Sequence, residues 1–381
     1  MNASTSDHGL ALPALNGANP LGFLAALGTL VMLRKAGNPD ARLSWRQQTH
    51  WVPVIDGLVV RDEQKLAEAI AAQLHGNKVT AQADTDRESS QRQFDGAKKA
   101  LKDKLAEIKK RKLKGAARAA VFSAEVLPLE GAMKEKRTEW LIALKKAVPS
   151  EELALGKHID CTPAEFRDHA SAFISGASNT SRFSIDLLAA FGSDAVTDKY
   201  GRIGSTPFCF ITGSGHQYFL DTVRLLIEQA TAERVHQALF VPWEYRDEKL
   251  SMRWDPAEDR RYPLMDRDPT ASDNKSRTVW MANLLAYRSL VLFPSTATAR
   301  HLGTTGWIET EAGPAFTWPI WEEPLPPEVI QTLLQLEELK EGKVNHAQFR
   351  ERGVVAAFRS RRIQVGNPPL HKINFTPAQG L

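Results

Sequence analysis

The chain has 381 residues, 43% hydrophobic and 25% charged, with a formal net charge of +4 at pH 7. This is ordinary globular usage, which excludes a disordered, collagen-like or disulfide-framework chain, and the length allows two or three domains with a sizeable core. The longest uncharged apolar run, Pro20 to Leu33, has 14 residues, short of the ~20 that cross a bilayer. The opening Met-Asn-Ala-Ser-Thr-Ser-Asp lacks the pattern of a secretory signal. Cys161 and Cys209 show no metal-ligand spacing and suit a reducing compartment, so a cytoplasmic protein without membrane association is expected.

Asn19-Pro20 offers an N-cap and a first-turn proline, and the spacing predicts a helix that stops at Gly37. Gly22, Ala25, Ala26 and Gly28 give it small faces that another backbone can approach. Strands are expected over 42–51 and 51–60, then a helix over 62–74. Residues 76–94 are polar, and then a long basic helical region begins, which Gly115 and Pro128 interrupt. Past Pro149 a helix starts near Thr162-Pro163. Residues 205–212 read as a strand, Gly213-Ser214-Gly215 as a turn, and 216–239 as one helix. A helix over 277–292, a loop-rich 293–306, a strand over 316–321, a helix from Pro326-Pro327 to about Lys340 and a final strand over 353–365 complete the chain. The expected fold is α+β: a mixed α/β body with an inserted basic helical segment. The parts are an N-terminal α/β part (1–85), the insertion (86–150), an α/β core (151–325) and a C-terminal helix with an arginine-rich strand (326–381).

The charge is concentrated. Arg87 to Lys146 holds 17 Lys/Arg against 8 Asp/Glu, so the remainder of the chain is acidic. Within it, Ala97 to Arg118 has ten basic and two acidic residues on a helix-forming background, with Leu101, Leu105 and Ile108 as a thin apolar stripe. Such a helix serves either as a solvated surface or as a polyanion-binding ridge. A second cluster tips the reading toward nucleic acid: Arg350, Arg352, Arg359, Arg361, Arg362 and Lys372 stand against Glu351 alone between Phe349 and Lys372, and arginine grips phosphate in a bidentate way. Lys98, Lys99, Lys102, Lys109, Lys110, Arg111 and Lys114 are the candidate backbone contacts, with Arg359, Arg361 and Arg362 as a second grip.

Three further places are candidates for chemistry. The turn Gly213-Ser214-Gly215 ahead of a helix is a possible phosphate site, with His216 and Gln217 as side-chain donors. It lacks the Lys-Ser/Thr of a P-loop and the third glycine of a dinucleotide fingerprint. Asp255, Glu258 and Asp259 are close enough in sequence to hold a divalent metal, as in a metal-dependent nuclease, but Arg260 and Arg261 compete for the same oxygens, and a turn knitted by Asp–Arg pairs is the simpler expectation. Ser214 is not in a nucleophile elbow, and the ten histidines form no zinc motif. No catalytic residue, metal or cofactor is therefore expected.

Four stretches taken together resemble proteins of type I-G (formerly I-U) CRISPR-Cas loci, the large-subunit-like and helicase-extension proteins. They are LPALNGANPLGFLAALGTLVML from Leu12, FCFITGSGHQYFLDTVRLL ending at Leu226, WDPAEDRRYPL from Trp254, and LFPSTATARHLGTTGW from Leu292 with FTWPIW beyond. The resemblance implies a non-catalytic subunit of an RNA-guided antiviral defense complex (Cascade). Such a subunit would contact guide RNA and target DNA, bind other CRISPR subunits and dock a helicase-nuclease. It carries Gly213, Ser214, Gly215, His216 and Gln217 over as phosphate contacts and Asn19 with Pro20 as structural. Whether the chain would be the large subunit or an accessory one stays open, as do a nuclease or a protein-interaction scaffold as alternatives.

Overall fold

The structure is a computed structural model that describes residues 9–175, 182–198, 200–211, 217–260, 277–298, 301–340, 345–365 and 372–381. The chain forms two compact units, one of residues 1–76 with 157–381 and one of residues 77–156.

The first unit opens with β1 (Leu10–Ala11), α1 (Pro20–Lys35), β2 (Arg42–Gln47), β3 (Trp51–Asp56) and α2 (Glu63–His75). The side-chain oxygen of Asn19 accepts from the backbone N–H of Leu21 and Gly22, and Pro20 fills the first turn, as the sequence predicts. α1 is buried on every side, which is the pattern of a central helix rather than an amphipathic surface one. The small faces have a visible purpose. A Cβ on Gly28 would lie 1.8 Å from the Leu285 carbonyl oxygen.

The second unit consists of α3 (Ala81–Lys110), α4 (Gly115–Val121), a π-helical turn (Phe122–Val126) and α5 (Leu127–Lys146), closed by a 3-10 turn at Glu151–Leu155. It is an antiparallel helical hairpin. Phe94 stacks on Trp140 at 5.3 Å, Ile108, Val126 and Leu144 are buried, and the Asn77 N–H bonds the Pro149 carbonyl at 2.7 Å to tie the open end. The helical unit thus begins at Asn77 and ends at Gly156, wider than the expected 86–150. The basic helix begins earlier than the expected start after residue 94: Thr80 caps α3 by accepting from Ala83, and the helix runs through most of the polar stretch. Polarity misleads there because only one narrow face of α3 is covered.

The first unit resumes with α6 (Pro163–Ser175), α7 (Arg182–Phe191), β4 (Gly192–Thr197), β5 (Ile203–Ser205), α8 (Phe219–Glu228), α9 (Ala232–Phe240), β6 (Asp247–Glu248), α10 (Pro256–Arg260), β7 (Arg277–Thr278) and α11 (Trp280–Arg288). It ends with the hairpin β8 (Ser295–Ala297) and β9 (Leu302–Thr304), then β10 (Trp307–Thr310), β11 (Gly313–Trp321), α12 (Pro327–Leu333), α13 (His346–Glu351), β12 (Val354–Val365), β13 (Lys372–Phe375) and β14 (Gln379–Gly380). β10-β11-β12-β13 form an antiparallel sheet, with β14 on β12, and β1-β3-β2 form a second. The fold is mixed α+β.

The core joins α1 to both sheets through aromatic rings. Phe23 stacks on Trp45 at 5.6 Å, Phe316 stacks on Trp318 at 5.0 Å, and the indole N–H groups of Trp318 and Trp321 bond the carbonyls of Gly17 and Leu43. Four local expectations are corrected. Within 205–211 only Ser205 is strand; Phe208, Cys209, Phe210 and Ile211 are all buried in an irregular segment whose two faces are both in the core. The helix expected over 216–239 breaks at Thr231, whose hydroxyl caps α9. The one expected over 277–292 begins with β7 and closes in a 3-10 turn. The helix from Pro326 stops at Leu333, because Leu336 is extended ahead of a separate 3-10 turn.

Candidate nucleic-acid interface

α3 segregates its cations by partner. Lys104 bonds Glu107 at 2.9 Å and Glu125 at 3.2 Å. Arg111, the C-cap residue, bonds Glu125 at 2.9 Å and also reaches Glu107. These bonds lower Glu107, chiefly through Lys104, and Glu125, chiefly through Arg111, below the usual carboxylate range, and they raise Lys104, chiefly through Glu107. Arg111, expected as a phosphate contact, is therefore neutralised within its own hairpin.

Lys98, Lys99, Lys102, Lys109 and Lys110 are different. All five are exposed, and none has a carboxylate partner among the described residues. At about 100° per residue, Lys98, Lys102 and Lys109 fall within roughly 40° of one another, and Lys99 and Lys110 form a second row beside them. From Lys98 to Lys110 the rows run roughly 18 Å along the helix. The apolar side adjoins the first row: on the same wheel Leu105, 40% exposed, falls about 20° from Lys98, and the buried Ile108 about 80° from it. Lys114 is exposed just before α4 and makes no cap bond.

The arginine strand does not form one grip. Arg359 and Arg361 share a face of β12, while Arg362 takes the other, because successive strand residues alternate. The Arg359 guanidinium is tied to the Thr317 hydroxyl and the Leu339 carbonyl, both at 3.0 Å. Arg361 is exposed. Arg362 lies over the Phe210 ring at 5.4 Å with its Nε buried and unbonded, and burial lowers its pKa. Gly213, Ser214, Gly215 and His216 lie outside the described residues. Gln217 is half-buried and precedes α8, which starts at Phe219 with Tyr218 in the cap position and no side-chain cap bond.

The acidic cluster is an internal strut. Asp255 and Glu258 are 3% and 6% exposed. Asp255 Oδ1 accepts from the Asn19 Nδ2 and the Ala257 N–H, both at 2.8 Å, and Oδ2 accepts from the Tyr245 hydroxyl at 2.7 Å. Glu258 accepts from the hydroxyls of Ser251 and Thr278. Asn283 holds that pair in place, donating to Thr278 at 2.8 Å and accepting from the Met252 N–H at 2.9 Å. Burial, aided by the Asp255 charge, pushes Glu258 up to about 8. Among the described residues, the donors that hold Asp255 and Glu258 are amides and hydroxyls. The Asp259 and Arg260 side chains and Arg261 lie outside the described residues. Among the described residues no group of three or more His, Cys, Asp or Glu is placed to hold a metal. Sequence reasoning missed Asn19, Tyr245, Ser251, Thr278 and Asn283 as partners, since nothing local links them to the cluster.

Both cysteines are buried. Cys209 Sγ lies 3.8 Å from the His158 ring nitrogens. Burial raises the Cys209 thiol far above its ordinary value and lowers His158, and both shifts oppose a thiolate–imidazolium pair. No helix among the described residues is long and apolar enough to cross a membrane. No protein-family model matches the chain, and no curated protein matches its sequence.

Proposed function

We propose that the protein is a non-catalytic nucleic-acid-binding subunit of a type I CRISPR RNA-guided interference complex, working in the cytoplasm with guide RNA, target DNA and a helicase-nuclease as partners. The complex is what the sequence resemblance implies. The nucleic-acid contact is supported independently by one observation: the cations without carboxylate partners gather on one side of α3, while Lys104 and Arg111 hold the hairpin together. Neutralised cations stabilise a protein; a row of uncompensated ones attracts a polyanion. The rows contain lysine and alanine but no aromatic side chain, so they offer backbone contact without base stacking or base-edge readout.

Reversing Lys98, Lys102 and Lys109 to glutamate tests the contact. Binding to duplex DNA should weaken at least tenfold for all sequences alike, and the log–log salt dependence should flatten by roughly 2.7, about 0.9 for each phosphate that is no longer neutralised. Wild-type binding with no salt dependence removes the mechanism. Co-expression with the products of adjacent genes, followed by RNA extraction, tests the assembly separately. A preparation that binds DNA but never carries guide RNA or neighbouring subunits overturns the CRISPR assignment and leaves the nucleic-acid contact standing.

A further inference from the structure

The turn end of the helical hairpin carries a second surface, apart from the lysine rows of α3. α4 buries none of its residues, and Gly115, Arg118, Ala119, Phe122, Ser123 and Leu127 line an open groove of about 430 Å³. Leu127 is 50% exposed beside it. The π-helical turn over Phe122–Val126 explains how these residues meet. In an unbroken α-helix Leu127, twelve positions beyond Gly115, would point roughly 120° away from it. The wider turn absorbs the excess rotation and brings Leu127 into line with Gly115, Ala119 and Phe122. π-turns of this kind recur at functional sites.

The groove is apolar along its floor; one cation, Arg118, lines it, and two more, Lys112 and Lys114, precede it in the chain. Lys112, Lys114 and Arg118 are exposed, with no carboxylate partner among the described residues. Glu125 is committed to Arg111 and Lys104. A second copy meeting it groove to groove would bring like charges together, and a sugar-phosphate chain has no apolar stripe to cover Leu127 and Ala119. We infer that the groove docks an amphipathic helix of a partner protein, with an apolar face flanked by Asp and Glu. The floor from Gly115 to Leu127 is roughly 18 Å long, enough for about three turns read at i, i+4 and i+7 spacing. This docking site does not depend on the nucleic-acid reading.

The test uses the full chain and a fluorescent synthetic peptide of about 18 residues, with leucines on one helical face and glutamates elsewhere. Two control peptides replace the glutamates with lysine or scatter the leucines. The acidic amphipathic peptide should bind and both controls should not. Leu127→Glu should weaken binding roughly tenfold or more, and Lys114→Glu with Arg118→Glu should weaken it comparably. Lys98→Glu with Lys102→Glu should change it less than about threefold. Leu127 is half exposed, so the variant is expected to fold, and unchanged helicity by circular dichroism checks that. Three results overturn the inference: no peptide binding, equal loss in the Lys98/Lys102 variant, or a single-stranded RNA that binds through Leu127 where the peptide does not.

Discussion

Asn19 and Asp255 are joined at 2.8 Å although 236 positions separate them in the chain. Asn19 uses both ends of its amide: the oxygen caps α1, and the nitrogen donates to the carboxylate that anchors the segment running into α10. That segment needs an anchor. Tyr245, Lys249, Leu250 and Arg253 all have positive φ, between 48° and 63°, a conformation that costs non-glycine residues about 1 kcal/mol or more each. The Asp255 bonds to Asn19 and Tyr245, with the Glu258 bonds to Ser251 and Thr278, hold it in place.

Replacing Asn19 separates its two roles. Asn19→Ala removes the cap, costing about 1 kcal/mol, and takes one of two donors from Asp255 Oδ1, which keeps the Ala257 N–H; a hydrogen bond to a charged group contributes about 1.5–3 kcal/mol. Asn19→Asp keeps an equally good cap but sets a second carboxylate against Asp255. Urea unfolding should show both variants destabilised. If Asn19→Asp matches the wild type, capping is the residue's whole contribution.

Glu258 ties stability to pH. Its folded-state pKa, about 8, lies above the ordinary carboxylate value, so the folded protein holds a proton that the unfolded chain releases. The stabilisation is complete below the unfolded pKa and is lost as pH rises from there through about 8. Glu258→Gln mimics the protonated acid. The wild type should lose stability relative to Glu258→Gln as pH rises from 5 to 9, a difference in which the titrations of His158 and Cys209, shared by both proteins, cancel, with Asp255 and Arg253 the neighbouring charges in both. Parallel decline of the two proteins in denaturant titrations would remove Glu258 as the cause.

Gly28 and Gly96 should respond in opposite directions to alanine. On Gly28 the new methyl meets the Leu285 backbone carbonyl, which cannot move without shifting α11; a loss of roughly 3 kcal/mol or more is expected. On Gly96, inside α3, nothing lies within 4 Å, and alanine should add about 0.5–1 kcal/mol by lowering the entropy of the unfolded chain. Thermal unfolding of the two variants checks the pair.

What could be read in advance was local. Asn19-Pro20 and Asp62 mark helix starts through side chains a few residues away, and the lysines of α3 announce their exposure by composition. What could not be read depends on distant partners. Phe208 and Phe210 look like strand residues, yet their faces are filled by Trp254, Phe293, Trp307, Phe316 and Phe375 instead of a neighbouring strand. Asp255 and Glu258 look like metal ligands until Asn19, Tyr245, Ser251 and Thr278 arrive from other parts of the chain. Arg111 resembles its lysine neighbours in sequence and differs only because Glu125 folds back onto it.

That difference is itself testable. Lys104→Ala and Arg111→Ala remove paired cations, so nucleic-acid affinity should fall less than about threefold and the salt dependence should change by less than the share of a single phosphate, about 0.9. Their effect should appear in the hairpin instead. Glu125, released from one of its two partners in each variant, moves toward the ordinary carboxylate range, and amide exchange should quicken near the α3/α4 turn. Because all four groups remain accessible to water, the loss of stability should be modest and smaller at high salt. The decisive comparison is with Lys98→Ala and Lys109→Ala, which should weaken nucleic-acid binding while leaving amide exchange unchanged. Equal losses of binding across all four variants would mean that α3 acts through its total charge, and the distinction between paired and unpaired cations would carry no functional weight.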